Sequence, residues 1–254
     1  MKIVSVNVGM PREVVWKGMT VKTAIFKEPV AGSVRISKLN LAGDQQEDLT
    51  VHGGPEKAVY AYPAEHYEYW RKELPEVPFS WGRFGENLTT EGLREGTLCI
   101  GDRLRIGSAI LMVTQPRMPC YKLDLRFDRD DMIKRFLMSG RSGFYFSVIE
   151  PGEVTLGSKV EILSRDANRV TVVDIVRLYL GQTHDPELLQ RATNVSALPG
   201  NWKAQLLLRA RPIQLVSVSR AARHRTSVPL ILANDHESRH GHRACFMCLE
   251  RRLS

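Results

Sequence analysis

Residues 103–123 read RLRIGSAILMVTQPRMPCYKL. Arg103–Ile106 alternates charged and apolar side chains, Gly107-Ser108-Ala109 supplies a turn, and Ile110–Thr114 resumes an apolar run, so the stretch predicts a β-hairpin. The second strand then meets two prolines around Cys120. Pro116 and Pro119 fix two φ angles and remove two backbone donors. The segment beyond Thr114 is therefore expected to leave the sheet as a stiff loop, not to continue as an ordinary central strand or a helix. A thiol in such a frame is held in one place. Arg117 and Lys122 flank it and favour the thiolate, which is either a nucleophile or a soft metal ligand. The plain alternative is a buried structural cysteine.

Outward from that hairpin, residues 1–165 keep the same β texture. Lys2–Val8 and Ser33–Leu39 alternate, and Val14–Trp16 and Val21–Phe26 flank Lys17-Gly18-Met19-Thr20 as a second hairpin. Gly143–Ile149 and Lys159–Leu163 close the series. Many short strands punctuated by Gly and Pro predict a mainly β barrel or sandwich. Two helices are expected within it: Pro63–Glu73, with Tyr62, His66, Tyr69 and Trp70 on one face, and Asp130–Met138, stopped by Gly140. From residue 166 to 210 the texture is helical. Val172–Leu180 carries Ile175, Leu178 and Tyr179 on a stripe and ends at Gly181, Asp185 caps Pro186–Ala192, and Pro199–Leu208 follows. Residues 211–254 are rich in Arg, Ser and His, and read as a basic tail, disordered or added without a packing role.

Composition narrows the function classes. At 254 residues and 43% hydrophobic, the chain can bury a large core, and four cysteines are too few for a disulfide scaffold. No run of eighteen apolar residues and no signal-peptide pattern is present, so a cytoplasmic protein without a membrane partner is expected. The net charge of +8 is misleading. From Arg209 onward there are nine Arg, no Lys and three acids, which puts +6 in the tail and leaves the body nearly neutral. A nucleic-acid partner is not expected, because polyanion binders carry the bias on the folded face. The tail also holds His236, His240, His242, Cys245 and Cys248. A Cys-x-x-Cys with nearby histidines can chelate zinc, but with no second Cys-x-x-Cys and irregular His spacing the expected reading is a loose, reducible segment, a metal site being the alternative. Cys99 has apolar neighbours and reads as core. There is no Walker loop, no GxGxxG and no Gly-x-Ser-x-Gly.

Three further stretches carry polar groups on turns. In GDQQEDLTVHGGPEKAVYAYP, residues 43–63, Gly53 and Gly54 let backbone N–H groups approach an anion or cofactor, and His52 is an acid, donor or ligand. Lys57 would hold a phosphate or simply be solvated, and a plain turn explains the His-Gly-Gly equally. In FGENLTTEGL, residues 84–93, Glu86 and Asn87 could read a heterocycle edge or serve the turn alone. In RSGFYFSVIEPGEV, residues 141–154, Arg141 and Ser142 precede a strand and could bind phosphate.

Taken in order, Gly43-Asp44, VHGG at 51–54, YP-x-E-H-Y-x-Y-W at 62–70, FGENL at 84–88, GD at 101–102, QPRMPCYKL at 115–123 and SVIEPGEV at 147–154 form one set. This set resembles the MOSC family, the domain named after the C-terminus of molybdenum cofactor sulfurases, in its YiiM-like branch. The resemblance covers about residues 1–208 and leaves out the tail. It implies a MOSC-type β-barrel with a few peripheral helices over 1–165, followed by a small three-helix domain over 166–210. It also implies a pterin-based molybdenum cofactor, with Cys120 as the thiolate ligand of molybdenum. The branch is linked to reduction of N-hydroxylated compounds such as purine analogues, R–NHOH + 2e⁻ + 2H⁺ → R–NH₂ + H₂O.

Roles follow from the resemblance as expectations. Arg117 and Lys122, with Lys57 and Arg141, offset charge on the cofactor's dithiolene and phosphate, and Ser142 adds a phosphate contact. His52, with Gly53 and Gly54, lines the pocket and delivers a proton. Asp44, Glu86, Asn87 and Gln115 bond the pterin or the substrate's ring edge. The partners are a small N-hydroxylated substrate and a separate reductase, because no Cys₄ iron–sulfur spacing or flavin fingerprint is present. The oligomer is open, with a homodimer one option. Other readings are sulfur transfer through a Cys120 persulfide, a cofactor carrier without turnover, and a pyridoxal-phosphate enzyme using Lys57 or Lys122, neither well placed in the motifs.

Overall fold

Short β-branched and aromatic runs broken by glycine build a sheet before they build long helices. The structure, a computed structural model, describes residues 1–47 and 53–210. His52 and the His/Cys cluster of the tail lie outside the described residues. In chain order the elements are β1 (Lys2–Val8), β2 (Arg12–Trp16), β3 (Met19–Thr23), β4 (Glu28–Pro29), β5 (Val34–Ile36), β6 (Val59–Pro63), α1 (Glu65–Glu73), β7 (Leu88–Glu91), β8 (Arg103–Ile106) and β9 (Ala109–Pro116). Then come α2 (Tyr121–Phe127), α3 (Met132–Ser139), β10 (Phe144–Glu150), β11 (Gly152–Val154), β12 (Val160–Ser164), α4 (Val172–Tyr179), α5 (Pro186–Asn194) and α6 (Gly200–Arg209).

Eight strands form one mixed sheet in the order β12-β8-β9-β10-β6-β7-β1-β4, and β2-β3 and β11-β5 form two small ribbons. Only the β6–β7 pair is parallel among the described residues. The expected barrel does not close through a continuous ladder among the described residues. Among the described residues its two sides meet at one antiparallel bridge, Lys2 to Lys159, backed by the Ile3 N–H on Ser158 O at 2.9 Å and the Val160 N–H on Met1 O at 3.0 Å.

Both expected hairpins form, each with a tighter turn than the sequence suggested. Lys17 and Gly18, at φ 51° and 77°, make the β2–β3 turn by themselves, and Met19 already belongs to β3. The β9 strand departs further from expectation. It runs through Gln115 to Pro116, which pairs with Phe144. Its pairing to β8 stops at Met112, so at Pro116 the strand is laddered on one side only and tolerates a residue without N–H. Cys120 is not in a free loop either. It is the N-cap of α2, a two-turn helix that buries Leu123, Leu125 and Phe127 and ends at Asp128 in the left-handed region.

Four strands escaped the periodicity reading, the short β4 and β11 and the longer β6 and β7. In β6 all five residues are buried, and in β7 three of four are, so no in–out alternation exists to be read. Because Pro63 pairs with Thr90, α1 begins at Glu65 and not at Pro63. It buries Tyr67 and Trp70 in an aromatic cluster with Tyr62, Phe84, Phe127 and Phe136. The three C-terminal helices follow the expected order. Thr171 and Asp174 form a capping box at α4, and the Asp185 carboxylate accepts from the Glu187 N–H at 2.9 Å to cap α5. Ile175 and Trp202 share one apolar core with Leu111 and Val113 of β9. No helix of the described residues is long and apolar enough to cross a membrane.

Candidate functional site

Where β9 gives way to α2, the chain turns at the edge of a cleft of about 660 Å³, part of it open to solvent. Cys120 is buried and lines this cleft together with Arg117, Met118 and Lys122 of the same turn. The prolines thus do what their stiffness suggests: they aim one segment's polar groups into one space. Lys57 and Asn87 line the cleft from two other stretches.

Arg117 is the unusual group. It is buried, with its guanidinium 5.0 Å from the Tyr60 ring centroid and 5.3 Å from that of Phe136. Its Nη1 is buried and has no hydrogen-bond partner among the described residues. Burial is the largest influence on it and opposes the charge, yet Tyr60, Tyr145 and Cys120 outweigh that and hold it above its ordinary value. Lys122 Nζ donates to Glu47 Oε2 at 2.9 Å.

Other expected site residues are placed away from the cleft or are already engaged. Asp44 is buried behind it and accepts from the Gly9 N–H at 2.9 Å, from Asn87 Nδ2 at 2.9 Å and from Lys27 Nζ. Glu86 is fully buried and accepts from the Gly82 N–H at 2.8 Å, the Phe84 N–H at 3.1 Å, Thr89 Oγ1 at 3.0 Å and the Tyr67 hydroxyl. Burial lifts its carboxyl above the usual range, only partly offset by the Tyr67 hydroxyl and the loop amides. It braces its own loop. Gln115 accepts from Trp202 Nε1 at 2.6 Å and donates to Glu56 O at 3.3 Å, tying α6 to β9. Arg141 lies 3.7 Å from the Tyr69 ring centroid and donates to Ser139 O at 2.9 Å. The Ser142 hydroxyl donates to Gly143 O at 2.8 Å, and Ser142 O accepts from the Tyr60 hydroxyl at 2.9 Å. Gly54, at φ 94°, caps the short 3₁₀ turn Pro55–Lys57 next to Gly53, and neither glycine is a cleft-lining residue.

Sequence reading missed Lys27, Tyr60, Tyr145 and the segment 23–25, all of which line the cleft. Lys27 reaches it because two glycines let the chain press close. A Cβ on Gly82 (φ 82°) would sit 2.5 Å from Lys27 O, and one on Gly85 (φ 77°) would sit 2.9 Å from an Ile25 side-chain carbon. The phenylalanine and glycine pattern around residues 82–85 was the one available signal. Lys27 is buried against Asp44, and burial pushes its pKa down despite that partner.

A soft donor, four cationic side chains and an unanswered guanidinium N–H in one cleft fit a ligand that is both thiophilic and anionic. Residues 48–161 match the MOSC domain, and residues 170–209 match the YiiM-like 3-alpha helix domain. Over 182 residues the chain is 39% identical to protein YiiM of Escherichia coli, covering 71% of this chain and 81% of that protein. The chain belongs to the MOSC family, in its YiiM-like branch. The crystal structure of YiiM from Geobacillus stearothermophilus superposes with a TM-score of 0.69 at 32% identity, over 83% of this chain and 99% of that one. A protein of Gibberella moniliformis named reductase is 33% identical over 181 residues, 32% of its length. The MOSC match takes in the cleft's thiol and Arg117, and the YiiM-like match takes in Trp202, which holds Gln115.

Proposed function

We propose that this MOSC protein holds a pterin-based molybdenum cofactor in the Cys120 cleft and reduces small N-hydroxylated compounds, R–NHOH + 2e⁻ + 2H⁺ → R–NH₂ + H₂O. The observation that carries the reading is the pairing of a buried thiol with the unanswered Arg117 Nη1 in one cleft. The cofactor, when bound, supplies the two-electron chemistry. The chain supplies the rest. Cys120 offers the soft ligand from the N-cap of α2. Arg117, Lys57 and Lys122 offset anionic charge. Asn87, held by its Nδ2 bond to Asp44 and by the Tyr60 N–H on its Oδ1 at 3.1 Å, stays fixed at the wall. Burial holds the Tyr60 hydroxyl well above its ordinary pKa, so it remains a hydrogen-bond donor and not a proton source. Electrons come from a separate reductase in this reading, and the family resemblance and the fungal relative named reductase support it.

The test is metal and pterin analysis of the full chain expressed in a host that makes the cofactor, with N-hydroxyadenine reduction assayed under a supplied electron donor. The parent is expected to carry molybdenum and to turn over, and Cys120→Ser to lose both while keeping the parent's circular dichroism spectrum. Full turnover by Cys120→Ser overturns the reading. So does a parent without molybdenum whose Cys120 carries one added sulfur atom by mass, which would make it a sulfur-transfer protein.

A further inference from the structure

Three arginines from separate parts of the chain meet on the aromatic cluster beside the cleft. Arg12 on β2 lies 3.9 Å, and Arg126 on α2 4.7 Å, from the Phe26 ring centroid. Arg83 lies 4.8 Å over the Phe127 ring. Phe26 sits between Ile25 and Lys27, which line the cleft, but is not itself a lining residue. The cluster is therefore separated from the cleft by little more than one stretch of chain.

Stacking on rings explains why three guanidiniums can gather here. It leaves two things unexplained. The Nε atoms of Arg83 and Arg126 are both buried and have no hydrogen-bond partner among the described residues. No carboxylate pairs with any of the three among the described residues. The like charges also oppose one another: burial first, then the Arg83 and Arg12 charges, push Arg126 down to about 10. Burial likewise lowers Arg83. Nearby Glu86 helps little, because its oxygens are already taken by Tyr67, Thr89 and the loop amides. A buried donor left unanswered costs free energy, and so does uncompensated like charge. An oxyanion relieves both, since a guanidinium fork matches phosphate oxygens.

We propose that Arg12, Arg83 and Arg126 form a binding site for a phosphate monoester, adjacent to the Cys120 cleft and distinct from its cations. Two sources carry that chemistry: a phosphorylated substrate such as a nucleotide, or the terminal phosphate of the cofactor. The second source rests on the function proposed above, and the first does not.

The test uses the full chain and inorganic phosphate as probe, read by thermal unfolding and calorimetry against chloride at equal ionic strength. The parent is expected to be stabilised by phosphate, and Arg83→Gln/Arg126→Gln to bind it at least tenfold more weakly. Without phosphate, the single variant Arg126→Gln is expected to melt no lower than the parent, because it removes self-repulsion. A purely structural arginine would lower it. A parent that ignores phosphate, or a double variant that binds it as the parent does, overturns the site. The sources separate by comparing AMP with adenosine, and by measuring pterin retention after expression with the cofactor. A preference for AMP lost in the double variant assigns the substrate, and pterin lost from it assigns the cofactor. If AMP and pterin are both held as by the parent, the site is overturned even where inorganic phosphate is released. Since none of the phosphate readouts needs molybdenum, failure of this site and failure of the reductase reading are told apart.

Discussion

Asp44 and Arg117 are both buried ions near one cleft, and their surroundings differ. Every oxygen of Asp44 is answered, by Lys27, Asn87 and the Gly9 N–H. Arg117 is packed between two rings and still leaves a buried N–H unanswered. The first arrangement is framework: it fixes residues 23–27 and 87 relative to β1. The second gains nothing for the fold from its open donor, so it is the one shaped for a ligand. Glu86 and Gln115 belong with Asp44, and the Arg12, Arg83 and Arg126 group belongs with Arg117.

The strongest way to break this contrast is Asp44→Ala. It strands a buried ammonium and two N–H donors, and is expected to cost about 3–5 kcal/mol in urea unfolding. A loss below about 1 kcal/mol would mean that Lys27 is solvated and that Asp44 is no framework group. Next, Gln115→Ala leaves Trp202 Nε1 unanswered and is expected to cost about 1–2 kcal/mol, with the loss concentrated in hydrogen exchange of α6.

Arg117→Met should be smaller still. A flexible apolar chain replaces a buried, incompletely bonded ion, so stability is expected to stay within about 1 kcal/mol of the parent or rise. A loss as large as that of Asp44→Ala would place Arg117 in the framework. For Glu86 the expectation is a slope. Burial raises its folded pKa above the ordinary 4.5, so the folded chain holds a proton that the unfolded chain releases. The stability this contributes is present below 4.5 and lost as pH rises through the raised value. Unfolding free energy of the parent should therefore fall with rising pH across that window relative to Glu86→Gln, and parallel curves would refute the assignment. The smallest stability effect is expected for Cys120→Ser, within about 0.5 kcal/mol, despite complete loss of the cofactor-dependent activity.

Local physics made part of this molecule legible. The Arg103–Thr114 hairpin, the helix starts at Val172 and Asp185 and the stop at Gly140 depend on a few neighbouring residues, and each forms within a few residues of where the sequence puts it. β6 and β7 were illegible because burial on both faces erases alternation, and α2 because two prolines read as loop while the helix begins two residues beyond the second of them.

The sequence by itself determined that residues 116–120 would be stiff and that their thiol and cations would travel together, because proline restricts its own backbone whatever surrounds it. Only the tertiary structure decided which polar groups remained unclaimed. Gln115 was taken by Trp202, Glu86 by its own loop, and Lys27 was delivered into the cleft from the β3–β4 connection, which carried no motif. A hydrogen-bond partner is a matter of distance in space, and no short window of sequence contains it.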